Sequence, residues 1–143
     1  PSPSLYNNNV EFNGKRYYNS DVASTGKELY SYDGLNPQEL VADINPGMGG
    51  SSIYSLVSLN GSLYFTADDG THGEELWRYD GVTVTLAADV NPSETSGYEA
   101  RTGPVVFRGA LYFGADDGTH GAELWKLWTP KPVYLPLVMR GLP

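Results

Sequence analysis

Short runs in which apolar and aromatic residues alternate with polar ones recur along the chain, and each run stops at Gly, Asn, Asp or Pro. Leu63 to Ala67 is such a run and predicts a strand, because side chains at alternate positions of a strand line one face. The polar loop Asp68 to Gly73 follows, then a second strand from Glu75 to Tyr79. Asp80-Gly81 predicts a type I′ turn, with Asp33-Gly34 repeating it upstream, and the third strand is expected over Val82 to Val90. After Asn91-Pro92, mirrored by Asn45-Pro46, fourth strands are expected at Pro104 to Phe107 and at Ile53 to Leu59. Tight hairpins at Asn13-Gly14, Asn60-Gly61 and Arg108-Gly109 lead from a fourth strand into the next unit.

These runs belong to a repeat. Gly61 to Arg78 aligns with Gly109 to Lys126 at an offset of 48, with 14 of 18 positions identical. A more divergent copy lies 47 residues upstream, where Gly14, Tyr17, Asp21, Gly26, Glu28, Leu29 and Tyr30 match Gly61, Tyr64, Asp68, Gly73, Glu75, Leu76 and Trp77 in type or identity. Periods of this length point to solenoids, propellers or arrays. The expectation is therefore an all-β chain of three tandem, four-stranded, antiparallel propeller-like blades in a single repeat domain, 1–143. The units fall at about 13–59, 60–107 and 108–140, with an N-terminal strand at about 10–12 and a C-terminal strand at about 133–139.

The segments Glu75-Leu-Trp-Arg-Tyr-Asp-Gly81 and Glu123-Leu-Trp-Lys-Leu-Trp128, each preceded by Ala-Asp-Asp-Gly-Thr-His-Gly, resemble the ELWxxDGT repeat of large bacterial secreted proteins. The resemblance spans residues 13 to about 128. It implies a β-propeller-like, extracellular bacterial protein, secreted or held at the cell surface, and it carries no defined activity or catalytic residues. Two departures stand out: Tyr30 replaces the motif Trp in the first copy, and Trp128-Thr129-Pro130 replaces Asp-Gly in the third.

The strand count shapes the functional expectation. A lone fourth-type strand near Val10 to Phe12, two complete units and a third whose last strand is Val133 to Met139 make a chain that starts and ends mid-blade. Propellers close with about four to eight blades, so three need a second chain to make a ring. The chain is expected to associate with itself by strand addition at its ends, with Val10, Phe12, Val133, Tyr134, Leu135, Leu137, Val138 and Met139 at the subunit contact. A contact that closes after two copies gives a six-bladed ring; one that does not gives a filament, the outcome favoured here. Return of the tail onto its own chain is the alternative. A soluble ligand-binding module, for glycans or calcium, is the competing function.

Composition narrows the remaining classes. The formal charge is −8, and the nine Lys and Arg are scattered, which excludes a basic stripe for nucleic acid. There is no Cys, hence no disulfide or thiolate metal site. The longest apolar stretch, Val133 to Met139, is far short of the ~20 residues needed to cross a bilayer, so no membrane insertion is expected. A start at Pro1 without Met suggests a processed chain.

Asp68, Asp69, Asp116 and Asp117 are the most calcium-like groups, because hard cations want several oxygens from one turning loop. The spacing lacks the alternate-position ligands of an EF-hand, and Asp69-Gly70 becomes Val22-Ala23 in the first unit. Turn formation by the Asp side chains is the stronger reading. No other cofactor is expected. His72 and His120 occupy equivalent loop positions without a second His or Cys nearby, and no Ser-His-Asp set is evident. No enzymatic role is expected. Glu28, Glu75 and Glu123 are expected to accept hydrogen bonds from a neighbouring loop or blade, and Trp77 and Trp125 to pack between blades.

Overall fold

A computed structural model describes residues 8–92 and 103–129. All regular structure in them is β, with no helix. The strands are β1 (Asn9–Phe12), β2 (Lys15–Val22), β3 (Gly26–Tyr32), β4 (Glu39–Ala42), β5 (Tyr54–Leu59), β6 (Ser62–Asp68), β7 (Glu74–Tyr79), β8 (Val84–Ala88), β9 (Val105–Phe107), β10 (Ala110–Asp116) and β11 (Ala122–Leu127). They form three antiparallel meanders, ordered β1-β2-β3-β4, β5-β6-β7-β8 and, among the described residues, β9-β10-β11.

The hairpins fall where the sequence places them. Asn13-Gly14, Asn60-Gly61 and Arg108-Gly109 each combine φ of 49° at the first residue with 73°, 76° and 75° at the glycine. Two successive positive φ values match the right-handed twist of the flanking strands. Asp33-Gly34 and Asp80-Gly81 do not form the expected I′ turns, because only the glycines, at 87° and 99°, are left-handed. The Asp side chains close these turns instead. Asp80 Oδ1 accepts from the amides of Val82 and Thr83 at 2.9 and 2.8 Å, and Asp33 Oδ1 accepts from Leu35 and Asn36 at 2.9 and 2.8 Å. The longer turn delays the third strand to Val84 and leaves Val82 exposed.

The sheets are phased differently from the expected units. β1 is not a lone strand: it pairs with β2 from Asn9↔Tyr18 to Phe12↔Lys15 and opens a complete four-stranded sheet. Each sheet therefore begins with the strand assigned above to the end of the preceding unit. The first two sheets also share a bulge, since register shifts between Leu29 and Tyr30 opposite β4 and between Leu76 and Trp77 opposite β8.

Two apolar layers join the sheets face to face. One contains Phe12, Tyr17 and Leu29 of the first sheet with Leu63, Phe65 and Ala67 of the second. The other repeats the scheme with Leu59, Tyr64 and Leu76 of the second sheet and Leu111, Phe113 and Ala115 of the third. Thus one face of each sheet meets the opposite face of the next, and β5 lies between β1 and β9.

Candidate functional site

The joints between sheets absorb most of the repeated polar motifs. In the first joint the Glu28 carboxylate is fully buried and accepts from the Ile44 amide (2.9 Å), the Asn45 amide (3.3 Å) and the Ser51 hydroxyl (2.7 Å). Burial raises its pKa against the opposing pull of these donors. Ser51 also ties the sheets through the backbone: its amide donates to Lys27 O and its carbonyl accepts from Asp68 N, both at 2.8 Å. In the second joint the buried Glu75 accepts from the Val90 amide at 3.1 Å. The expected acceptor role therefore holds for Glu28 and Glu75, whereas Glu123 lies exposed on β11.

The candidate calcium ligands serve their own loops. Asp68 Oδ1 accepts from the Gly70 amide at 2.7 Å, and Asp69 Oδ1 from Thr71 and His72 at 2.9 and 2.8 Å. Asp116 and Asp117 repeat these bonds with Gly118, Thr119 and His120, all at 2.8 Å. The second oxygen of Asp69 or Asp117 lies 2.7 Å from Nδ1 of His72 or His120. That contact raises both histidine pKa values, and the His120 contacts hold Asp117 down at about 2. Among the described residues no group of three or more His, Cys, Asp or Glu is placed to hold a metal ion.

Loop shape also answers to the neighbouring sheet. A Cβ on Gly70 would lie 3.1 Å from Asn45 Oδ1, and one on Gly118 would lie 3.1 Å from Asn91 Oδ1. Each Asp-Gly corner is thus seated on the Asn-Pro connection from the sheet before it. The first sheet follows no such connection among the described residues, and its loop carries Ala23 at this position.

Trp77 and Trp125 are half-buried against the two apolar layers. Their indole N–H groups donate to Ala67 O at 3.0 Å and Ala115 O at 3.1 Å, so each bridges two strands of its own sheet while packing towards the sheet before it.

Of the residues expected at a subunit contact, Phe12 is instead committed to the chain's own core, edge-to-face with Tyr17 (5.8 Å) and Tyr79 (6.4 Å), and Val10 packs beside it. Val133, Tyr134, Leu135, Leu137, Val138 and Met139 lie outside the described residues.

The third sheet presents a surface that sequence reasoning missed. Leu29 and Leu76 are 0% exposed, yet their counterpart Leu124 is 77% exposed. Phe12 and Leu59 are 8% exposed, and their counterpart Phe107 is 56% exposed. Strand register puts Val105, Phe107, Tyr112 and Leu124 on one face of this sheet. Phe107 and Tyr112 meet edge-to-face at 6.2 Å, with Arg108 and Lys126 over their rings. It is the same construction as Phe12, Tyr17 and Leu29, without a covering sheet among the described residues. Its signal in the sequence is the recurrence of the Glu-Leu-Trp or Glu-Leu-Tyr motif in three copies, which does not reveal how each copy is covered.

A cleft of about 410 Å³ opens at the second joint, lined by Asn60, Tyr64, Arg78, Leu127 and Trp128 among others. Its origin is local. Phe12 and Tyr79, which fill the first joint with Tyr17, are replaced at the second by Leu59 and Leu127. Arg78 Nε donates to Ser62 Oγ at 3.0 Å, and the Asn60 amide donates to Thr129 O and Oγ1 at 3.0 and 2.9 Å.

No protein-family model, curated protein or solved structure matches the chain.

Proposed function

We propose that this chain is an extracellular structural module of propeller-like blades that associates with itself through its third sheet, building a filament or surface polymer. The observation that carries this reading is the exposure of Leu124 at a position fully buried in both earlier copies. An apolar face of repeated design, covered twice within the chain, is a surface made to be covered. The edge of β11 supports the same reading. β3 and β7 each pair with a further strand, and the corresponding place beside β11 suits a strand such as Val133 to Met139 from a neighbouring copy.

Sedimentation across a concentration series tests the proposal. The full chain is expected to exceed its 15.6 kDa monomer mass as concentration rises, and a chain ending at Thr129 to associate more weakly. A full chain that stays monomeric throughout refutes the reading.

A second reading rests on the cleft: a glycan could stack on the exposed Trp128 indole while Arg78 and Asn60 supply polar contacts. Binding on a glycan array, lost on Trp128→Ala, would favour it. Calcium gains no comparable support, since both Asp pairs are engaged in turns.

A further inference from the structure

The cleft at the second joint differs from the corresponding place on the first sheet in the partner given to its cation. On the first sheet Lys15 Nζ meets Glu39 Oε2 at 2.7 Å, so the positive charge is neutralised within the sheet. On the second sheet Ser62 stands at the place of Lys15. Strand register puts Thr85 opposite Arg78, as it puts Glu39 opposite Ser31. The cation has thus moved from the second strand to the third, and the carboxylate that answered it has become a neutral hydroxyl.

Arg78 is half-buried, and its Nε donates to Ser62 Oγ at 3.0 Å. That bond orients the guanidinium and leaves its two terminal nitrogens as a fork of donors. Among the described residues no Asp or Glu lines the cleft, and no ion pair reaches Arg78. Asp80 lies nearby, but the Thr83 and Val82 amides act on its carboxylate ahead of Arg78, and both donate to Oδ1. In a chain of net charge −8 the cleft is therefore a local positive spot. Neutral groups surround the fork: Asn60 is held by Thr129, and Trp128 lines the cleft while 71% exposed.

A planar carboxylate matches a guanidinium fork through two parallel N–H···O bonds, a fit that a sugar hydroxyl does not reproduce. An indole face offers apolar surface to the C–H side of a sugar ring, and amide and hydroxyl groups suit its hydroxyls. The volume of about 410 Å³ falls within the usual range for small-molecule sites. We infer that the cleft takes an acidic sugar, a uronic acid unit of a polysaccharide, with its carboxylate on Arg78 and its ring against Trp128. The inference rests on the reading of this cleft as a glycan site, and it adds the charge of the ligand. The chain's negative charge opposes approach, but salt screens it beyond about 8 Å under physiological conditions, whereas the contact at Arg78 is short-ranged.

Titration calorimetry on the full chain tests this with oligosaccharides of alginate, polygalacturonate and hyaluronate, each beside its carboxyl-reduced form. The three acids between them present mannuronate, guluronate, galacturonate and glucuronate. At least one acid is expected to bind about tenfold tighter than its reduced counterpart. Arg78→Gln, with an unchanged circular dichroism spectrum, should abolish that difference, and Trp128→Ala should weaken both forms alike. Equal binding of an acid and its reduced form, lost on Trp128→Ala, overturns the inference and leaves the glycan reading standing. Acid-selective binding that survives Arg78→Gln also overturns it. Failure of the full chain to bind any of these compounds, including binding that appears only on truncation after Thr129, overturns both.

Discussion

Leu76 and Leu124 occupy the same place in successive copies of the repeat, in the same Glu-Leu-Trp context, and differ only in what lies over them. Truncating each to Ala isolates that difference. Leu76 is fully buried, opposite Ala88 on β8 and within the layer containing Tyr64 and Leu111. Removing three carbons there forfeits transfer energy and leaves a cavity, together costing about 3 kcal/mol, within the usual range of roughly 2–5. For a chain of this size that lowers the melting temperature by roughly 10 °C. Leu124 in a dilute, monomeric sample has little to lose, and its truncation should stay within about 0.5 kcal/mol. Urea unfolding followed by tryptophan fluorescence reads both, because Trp77 and Trp125 flank the two sites. Equal losses at the two positions would refute the reasoning, since they would mean that Leu124 is buried within its own chain. A small loss at Leu76 would refute the packing of the second joint.

Replacing Glu28 by Gln keeps the side chain's shape but gives one of its three donors a poor acceptor, and should cost about 1–3 kcal/mol in thermal or urea unfolding. Gly50→Ala should be far more damaging than Gly14→Ala, although φ is near 70° at both. A Cβ on Gly50 would lie 2.5 Å from Lys27 N, whereas one on Gly14 meets nothing within 4 Å and should cost only about 1–2 kcal/mol. Asp117→Asn should lower the His120 pKa towards its ordinary value, as read by NMR titration of the imidazole. Because the histidine pKa values are raised on folding, their contribution to stability is complete below the ordinary histidine value and disappears as pH rises through the raised one. The Asp117 contribution runs the other way, present above the ordinary Asp value and lost as pH falls towards about 2.

Much of the fold is legible in the residues, because strands and hairpins are local. Alternation marks β6 and β10, and Asn-Gly or Arg-Gly marks the two-residue turns, whose geometry depends on little else. The Asp-Gly turns misled for a physical reason: an Asp side chain that accepts two amides can close a turn with its own backbone right-handed, and composition does not distinguish the two solutions. Sheet phase was equally hidden. A repeat aligned on itself has no natural start, and only the pairing of β1 with β2 shows where each sheet begins. The candidate ligands were visible as a motif, but their role as turn acceptors seated on Asn45 and Asn91 depends on a neighbouring sheet. The exposed third face was the least legible, because Leu124 follows Glu and precedes an aromatic residue just as Leu29 and Leu76 do, and differs in having no sheet above it among the described residues.

The middle sheet is complementary, through its neighbours, to itself. Its Leu59, Tyr64 and Leu76 face fits a Leu-x-Phe-x-Ala face, and its own Leu63-x-Phe65-x-Ala67 face is one. A duplicated segment 60–107 spliced in tandem would therefore reproduce a joint that already exists, turning a fixed trio of sheets into a scaffold of adjustable length. The first sheet has no such freedom. Its outer face carries Arg16, Tyr18 and Ser20 in place of that pattern, so a copy added on that side would not reproduce the existing joint.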